Sequence, residues 1–281
     1  MVKGVGVVGA GQMGSGIAQV FAQAEYPVAL YDISAAQLDK ALLTVKQNLE
    51  RQVKKGVLDP GAVKVVGQRI QPALKFSDLS ACELIVEAAS ENEALKYDLF
   101  RQLDECVNVD AILATNTSSI SITKIAAVTC RPAKVIGMHF MNPVPVMQLV
   151  EVIRGQTTSD ETFQTVAGLV AKLGKTMAVS QDAPGFIVNR ILIPMINEAI
   201  IALNEGVATA EDIDKGMKLG TNLPMGPLAL ADFIGLDTVL AICNVLSEGF
   251  KDPKYRPCPL LVEMVNAGRM GRKSGRGFYT Y

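Results

Sequence analysis

The first candidates for chemistry are the single histidine, His139, and Glu151, a glutamate twelve residues later. His139 follows the apolar run KVIGM, and the NPVP segment at 142–145 is typical of a rigid turn. If the chain reverses there, the carboxylate could fix the orientation and tautomer of the imidazole and favour its protonated form. Such a pair can move a proton to and from a substrate oxygen. Spacing alone equally allows a structural histidine in a turn, with Glu151 in an unrelated ion pair.

A glycine motif, Gly9-x-Gly11-x-x-Gly14, follows an apolar run and opens a predicted helix. The first glycine permits a tight turn, the second lets the backbone approach a pyrophosphate, and the third allows close helix–sheet packing. Asp32 lies 18 residues after Gly14, where it could accept hydrogen bonds from the adenosine ribose and repel a 2′-phosphate. The motif predicts a dinucleotide site that prefers NAD to NADP. The alternative is a tight turn with an incidental surface aspartate.

The elements that must position these residues alternate along the first part of the chain. Predicted strands are short and apolar and lie at 2–10, 27–32, 84–88, 111–114, 134–137, 147–153 and 177–180. Predicted helices separate them, at 11–24, 34–55, 91–103 and 160–173, with Ser34 as an N-cap and Gly56 as a stop. This alternation predicts an α/β fold with a parallel, doubly wound sheet of the Rossmann type. Ligands bind at the carboxyl ends of such strands, where His139 is placed.

After Pro184 the pattern becomes helical, with predicted helices at 185–204, 209–219, 235–249 and 257–267. We therefore predict a dinucleotide-binding domain at 1–183 and an all-helical domain for substrate binding and dimerisation at 184–281. The first of these helices is apolar nearly all round, which predicts full burial in a bundle or at the interface of a homodimer. Pro194 within it predicts a kink or a local break.

Composition excludes several classes of protein. The 281 residues carry 27 Lys and Arg against 28 Asp and Glu, so no nucleic-acid or anionic-membrane partner is indicated. No apolar run reaches the roughly 18 residues of a membrane-spanning helix. Five dispersed cysteines and one histidine indicate no metal centre and no disulfide framework. Free thiols are typical of a reducing compartment, so we expect a cytoplasmic protein.

Five long stretches carry a family resemblance. They are TNTSSISIT, GMHFMNPVPVMQLVEVIRG, DAPGFIVNRILIPMINEA, PMGPLALADFIGLD and GRKSGRGFYTY. Together they resemble the signature regions of the L-3-hydroxyacyl-CoA dehydrogenases, and the resemblance extends from Gly6 to Tyr281. It implies an enzyme that interconverts a short 3-hydroxyacyl-CoA and its 3-ketoacyl-CoA with NAD. Two other interpretations remain open: a dehydrogenase of a free hydroxy acid or sugar acid, and a non-enzymatic NAD-binding structural or sensor protein.

The resemblance also implies roles for single residues. The catalytic histidine and its glutamate fall on His139 and Glu151, a serine that hydrogen-bonds the reacting oxygen falls on Ser118, and an asparagine that positions the substrate falls on Asn189. The implied cofactor contacts are the glycine motif with Gln12 and Met13, Asp32, Glu91, Lys96, Asn116 and Asn142. Glu91 and Lys96 would meet the nicotinamide half of NAD.

Several of these residues have structural alternatives. Ser118 could cap a helix that begins near Ser119 or Ser121. Asn189 could satisfy backbone groups early in its helix, Glu91 could complement a helix dipole, and Lys96 could be a solvated charge.

Two basic segments complete the candidates. Arg51, Lys54 and Lys55 fall on one face near the end of a predicted helix, where they could bind the 3′-phosphate of CoA. Cations are equally expected there from the helix dipole alone. The segment GRKSGR at 271–276 is also basic, and we predict that it forms a turn that docks the C-terminus.

Overall fold

The computed structural model describes residues 2–281 and divides into two compact units, Met1–Ala183 and Pro184–Tyr281. The first unit contains an eight-stranded sheet with helices, and the second is helical. The predicted fold class, a doubly wound α/β sheet followed by a helical part, is therefore confirmed.

The sheet has the strand order β3-β2-β1-β4-β5-β6-β7-β8. Its strands are β1 Val5–Val8, β2 Val28–Tyr31, β3 Ile70–Ala73, β4 Leu84–Glu87, β5 Ile112–Thr115, β6 Val135–Phe140, β7 Leu149–Arg154 and β8 Thr176–Gln181. The first six strands pair in parallel in the order typical of dinucleotide-binding folds. β7 runs antiparallel to β6, so the prediction of an all-parallel sheet is wrong beyond β6.

Six helices accompany the sheet: α1 Gln12–Gln23, α2 Ala35–Lys54, α3 Ala62–Gln68, α4 Glu93–Cys106, α5 Ile122–Ala126 and α6 Asp160–Lys172. Ser34 caps α2 by accepting a hydrogen bond from the Gln37 N–H, as predicted, and Gly56 follows the helix with a positive φ of 68°. Every residue of β1, β4, β5 and β6 is buried, because helices and neighbouring strands cover both faces. These strands therefore form a rigid base for whatever lies at their carboxyl ends.

The second unit contains α7 Val188–Asn204, α8 Ala210–Thr221, α9 Pro227–Ile234, α10 Leu236–Phe250 and α11 Pro259–Asn266. The helix over Pro194 is continuous, so the prediction of a local break there is wrong. Ile193, Ile196 and Ile200 on one face of α7 are buried in the core of this unit. Ile191 on α7 is exposed in the single chain, so this chain alone does not bury the helix all round, and burial at an interface stays a prediction.

The C-terminal segment docks onto Asp232, which is 1% exposed in α9. Its carboxylate accepts hydrogen bonds from the N–H groups of Phe278 and Tyr279, at 3.0 and 2.9 Å, and from the Tyr281 hydroxyl at 3.1 Å. Isolated bridges from Gly271 to Arg276 and from Arg276 to Thr280 fold this segment back on itself. The basic segment thus forms the docking turn that its sequence predicts.

We predict that Asp232→Ala lowers the free energy of unfolding by about 2–4 kcal/mol, because it leaves three part-buried donors without their charged acceptor. Chemical denaturation measures the change, with Glu248→Ala as a control at an exposed position of α10. A loss for Asp232→Ala no larger than that of the control would show that this carboxylate does not anchor the segment.

Among the described residues, no single helix has the length and apolar character needed to cross a membrane. The bent pair Pro227–Ile234 and Leu236–Phe250 meets those criteria only when its two members are taken together.

Candidate active site

His139 and Glu151 lie side by side on β6 and β7. The loop after β6 reverses the chain, and the antiparallel register places the two residues directly opposite each other. Imidazole Nδ1 is 2.7 Å from Glu151 Oε2, and the glutamate is fully buried. The carboxylate accepts the Nδ1–H, so the neutral imidazole presents Nε2 as its basic atom. The two residues therefore do meet across the proline-containing turn, as one of the two interpretations of the sequence required.

Ser118 is the residue that meets Nε2. It lies in the segment that follows β5, and its Oγ is 3.0 Å from His139 Nε2. It is not a helix cap, because Ser121 performs that function for α5 by accepting a hydrogen bond from the Lys124 N–H. A hydroxyl and a ring nitrogen therefore converge at the carboxyl ends of β5 and β6. This is the geometry needed to hold and protonate one oxygen atom of a substrate.

Glu91 holds the backbone that carries Ser118. Its Oε1 accepts hydrogen bonds from the Thr117 hydroxyl at 2.5 Å, from the Ser118 and Ser119 N–H groups at 2.8 and 3.0 Å, and from the Ser119 hydroxyl at 2.8 Å. Burial raises the pKa of Glu91, but the Lys96 ammonium and these hydrogen bonds outweigh that effect, so the pKa lies below its ordinary value. Glu91 is therefore ionised at neutral pH and fixes the serine segment. It precedes α4, whose N-cap is Asn92.

Lys96 and Glu87 form a buried ion pair beneath Glu91. The sequence analysis predicted Lys96 as a site residue but not Glu87. The Lys96 ammonium, 1% exposed, is 2.5 Å from Oε1 of Glu87, which is fully buried at the end of β4. Glu87 also accepts hydrogen bonds from the Ala89 N–H and the Thr115 hydroxyl, both at 2.7 Å. Lys96 lies 3.5 Å from Oε2 of Glu91, so the three charges form one cluster. The sequence held one sign of its importance, because Glu87 is a charged residue at the end of the otherwise apolar strand LIVE.

Two of the three predicted asparagines tie this edge together. Asn116 is buried, and its Oδ1 accepts a hydrogen bond from the Phe140 N–H at 2.8 Å, which links the end of β5 to β6. Asn142 lies just after β6, and its Oδ1 accepts a hydrogen bond from Gln12 Nε2 at 3.1 Å. The second contact joins the loop after His139 to the first residue of α1. The histidine and the glycine motif thus belong to one continuous edge of the sheet.

The glycine motif has the geometry of a phosphate cradle. A Cβ on Gly9, where φ is +100°, would lie 2.7 Å from the Ala88 carbonyl oxygen, and one on Gly14 would lie 1.7 Å from the Gly9 carbonyl oxygen. At Gly11 a Cβ would meet no atom within 4 Å, so the backbone is open to an approaching ligand. Gly11 begins α1 without a side-chain cap, which leaves the helix terminus to attract an anion. Gln12 and Met13 are the first residues of that helix.

Asp32 lies at the end of β2 beside this loop. Its Oδ2 accepts a hydrogen bond from the Ala10 N–H at 2.8 Å, and its Oδ1 accepts one from the Ser34 N–H at 3.0 Å. A cavity of about 360 Å³ adjoins it, lined by Val8, Gly9, Gly11, Tyr31, Asp32, Ile33, Gln37, Ala88, Ala89, Ser90, Leu95 and Leu99. Each carboxylate oxygen keeps a lone pair for a ribose hydroxyl. The residues present therefore fit the adenosine half of a dinucleotide.

The remaining predicted residues lie on two helices, α7 and α2. Asn189 is the second residue of α7, in the second unit. Arg51 and Lys54 are exposed on the last turn of α2, and Lys55 is its exposed C-cap. Over residues 2–281, no group of three or more His, Cys, Asp or Glu side chains could hold a metal ion.

Comparisons with known proteins match both parts of the chain to domains of one enzyme family. Residues 4–183 match the family described as 3-hydroxyacyl-CoA dehydrogenase, NAD binding domain, and residues 185–281 match 3-hydroxyacyl-CoA dehydrogenase, C-terminal domain. A 3-hydroxybutyryl-CoA dehydrogenase of Bradyrhizobium diazoefficiens is 56% identical over 281 residues, which are 100% of this chain and 96% of that protein. A probable 3-hydroxybutyryl-CoA dehydrogenase of Bacillus subtilis is 54% identical over 280 residues, covering 100% of this chain and 98% of that protein.

Among solved structures, the crystal structure of (S)-3-hydroxybutyryl-CoA dehydrogenase PaaH1 from Ralstonia eutropha superimposes with a TM-score of 0.98. The two sequences are 53% identical, and the match covers 100% of this chain and 99% of that one. Both the sequence matches and the structural match extend over the glycine motif and over the His139–Glu151 pair. The chain therefore belongs to the 3-hydroxyacyl-CoA dehydrogenase family and is an NAD-dependent oxidoreductase.

Proposed function

We propose that this enzyme interconverts acetoacetyl-CoA and (S)-3-hydroxybutyryl-CoA with NAD(H), and that His139 is its general acid/base. The observation that carries the proposal is the hydrogen-bonded series Ser118–His139–Glu151 at the same sheet edge as the glycine motif. The names of the relatives and of the similar structure support a four-carbon acyl group. We place the reaction in the cytoplasm, within fatty-acid and butanoate metabolism.

The proton chemistry follows from the geometry around the imidazole. When the hydroxyacyl group is oxidised, Nε2 of neutral His139 accepts the proton of the 3-hydroxyl. The imidazolium so formed is stabilised by the buried Glu151 carboxylate at Nδ1, 2.7 Å away. In the reverse direction, the same imidazolium returns the proton to the oxygen at C3. Bound NAD(H) supplies or accepts the hydride.

Ser118 is proposed to hold the reacting oxygen. Its hydroxyl and His139 Nε2 are 3.0 Å apart, so one substrate oxygen can accept a hydrogen bond from each group. The negative charge that grows on this oxygen during ketone reduction then faces two donors that are already in place. Glu91 keeps Ser118 in this position through its hydrogen bonds to residues 117–119.

The cofactor is assigned to the same edge. The glycine motif with Gln12 and Met13 binds the pyrophosphate, and Asp32 binds the adenosine ribose. Glu91 and Lys96 are assigned to the nicotinamide half, Glu91 through its partly exposed side chain and Lys96 through the ion pair beneath it. Asn142 lies at the junction of cofactor and substrate, and Asn116 supports it by joining β5 to β6.

We predict that Asp32→Asn weakens the preference for NADH over NADPH. The carboxylate repels a 2′-phosphate, and its replacement by a neutral amide of the same shape removes that repulsion. The ratio of kcat/KM for NADH to that for NADPH should fall by about tenfold or more, because like charges in contact cost several kcal/mol. Asp39→Asn, at an exposed position of α2, is the matched control. An unchanged ratio for Asp32→Asn would remove this residue from cofactor selection.

The CoA end of the substrate and the assembly remain predictions. Arg51, Lys54 and Lys55 offer three exposed cations for the 3′-phosphate of CoA, and Asn189 is proposed to position the acyl group.

Exposed apolar side chains of the second unit, including Ile191 and Leu219, support a homodimer formed through its helices. Light scattering should give the mass of two chains, and the mass of one chain would reject the dimer.

The decisive assay compares substrates. NADH oxidation should be rapid with acetoacetyl-CoA and slow with free acetoacetate, since the proposal requires the thioester. Turnover of the free acid at a comparable kcat/KM would favour a hydroxy-acid dehydrogenase. Tight NADH binding with no turnover of either compound would favour a binding or sensor protein.

A further inference from the structure

Glu87 has no part in the chemistry described above, yet it is an enclosed charge at this edge of the sheet. Its side chain is fully buried, and it accepts hydrogen bonds from Lys96, Ala89 and Thr115. Burial of a carboxylate carries a desolvation cost that a single ion pair often does not recover. Its partner Lys96 is already within 3.5 Å of a second carboxylate, that of Glu91. The cluster therefore holds two carboxylates and one ammonium, with one net negative charge.

The position of this charge relative to the nicotinamide ring follows from the reaction geometry, and this step rests on the proposed function. The substrate carbon that exchanges hydride must lie next to the oxygen held by Ser118 and His139. Reacting atoms approach within about 3–3.5 Å, so the ring must lie close to Ser118. Glu91 is hydrogen-bonded to the Ser118 N–H at 2.8 Å. The cluster is therefore joined, through Glu91, to the segment that carries Ser118, beside the proposed ring site.

The ring changes its charge in the reaction, since it is a cation in NAD⁺ and neutral in NADH. We propose that Glu87 sets the preference of this enzyme for oxidised over reduced cofactor by giving the Glu87–Lys96–Glu91 cluster its net negative charge. A negative cluster near the ring lowers the free energy of the cation and leaves the neutral form almost unaffected. Bound NADH thereby becomes a stronger reductant, and the equilibrium on the enzyme shifts toward the hydroxyacyl product and NAD⁺. Glu87 acts on the cofactor through this field and not by contact.

The ratio of the NAD⁺ to the NADH dissociation constant should change in opposite directions in the two single variants of the cluster. Glu87→Gln leaves a neutral cluster, so the ratio of the NAD⁺ to the NADH dissociation constant should rise by about tenfold. Lys96→Met leaves two negative charges, so the same ratio should fall by a similar factor. The double variant Glu87→Gln/Lys96→Met restores one net negative charge on Glu91 and should return the ratio to within about threefold of wild type. If the cluster had only a structural role, all three variants would bind both cofactor forms more weakly, and the ratio would not rise, fall and return in this way.

A matched control is available in the same unit. Asp104 forms a buried ion pair with Arg131, with Nε to Oδ1 at 2.6 Å, near the end of α4 opposite to Lys96. Asp104→Asn also removes one negative charge from a buried pair, but at a distance from the proposed ring site. The dissociation-constant ratio should not change in this variant. Thermal melts of every variant establish that the protein is folded before binding is measured.

The experiment measures NADH binding by the change in its fluorescence and NAD⁺ binding by titration calorimetry, at neutral pH and fixed ionic strength, for the wild type and the four variants. A ratio that rises, falls and returns in the predicted order supports the proposal. Ratios that stay the same in Glu87→Gln and Lys96→Met, or that move in the same direction, overturn it. If Glu87→Gln does not fold, a ratio in Lys96→Met equal to that of wild type is sufficient to overturn it. Failure of the wild type to reduce acetoacetyl-CoA would instead contradict the proposed function.

Discussion

Replacement of His139 by alanine should lower kcat by about 10²–10⁴-fold, the usual contribution of a general acid/base. His139 is the only histidine in the chain, and the structure places its Nε2 next to Ser118 at the carboxyl ends of the strands. No second imidazole can replace it. Steady-state NADH oxidation with acetoacetyl-CoA measures the loss.

The same variant should bind NADH normally, because the glycine motif and Asp32 are assigned to the cofactor and His139 is not. Fluorescence titration of NADH against wild type and His139→Ala provides this control. A variant that binds NADH with unchanged affinity but retains more than about a tenth of wild-type kcat would exclude His139 as the acid/base.

Glu151→Gln should have the second-largest effect, a fall in kcat of roughly 10²-fold or more. The amide occupies the volume of the carboxylate but carries no charge, so it cannot stabilise the imidazolium that forms at each turnover. Glu151 is fully buried and lies opposite His139 in the sheet, so the amide is held in the place of the carboxylate. Steady-state kinetics would show the fall in kcat with little change in the KM for NADH.

A comparison of Glu151→Gln with Glu151→Asp separates charge from position. Aspartate keeps the charge but withdraws it by one methylene, so Glu151→Asp should retain more activity than Glu151→Gln. The opposite order would mean that the shape of this side chain matters more than its charge, and that the imidazolium is not stabilised as proposed.

The sequence predicted those parts of the site that depend on local pattern. The glycine spacing and Asp32 follow from one strand–helix–strand unit, and the structure places Gly9, Gly11 and Asp32 around a single cavity. The pairing of His139 with Glu151 required only that the chain reverse at the prolines. The reversal occurs, but it makes β7 antiparallel, which alternation of strands and helices alone did not indicate.

The sequence did not predict features that depend on contacts between residues far apart along the chain. The strand β3 contains Gln71 and Pro72, which favour neither burial nor a ladder, and it is tolerated because it lies at the edge of the sheet. Pro194 does not interrupt α7, whose apolar face is held in the core of its unit. Glu87 could not be assigned from sequence, since its burial depends on Lys96 nine residues later and Thr115 on the neighbouring strand.

The central claim is that a hydride reaches C3 of a thioester substrate while His139 supplies the proton to its oxygen. The most direct test mixes enzyme and NADH that carries deuterium at both hydrogen positions of nicotinamide C4 with acetoacetyl-CoA, and locates the label by mass spectrometry. We predict that 3-hydroxybutyryl-CoA forms with deuterium at C3, and that His139→Ala forms it at least about a hundredfold more slowly. Product without deuterium at C3, or labelled product formed equally fast by the variant, would contradict the account.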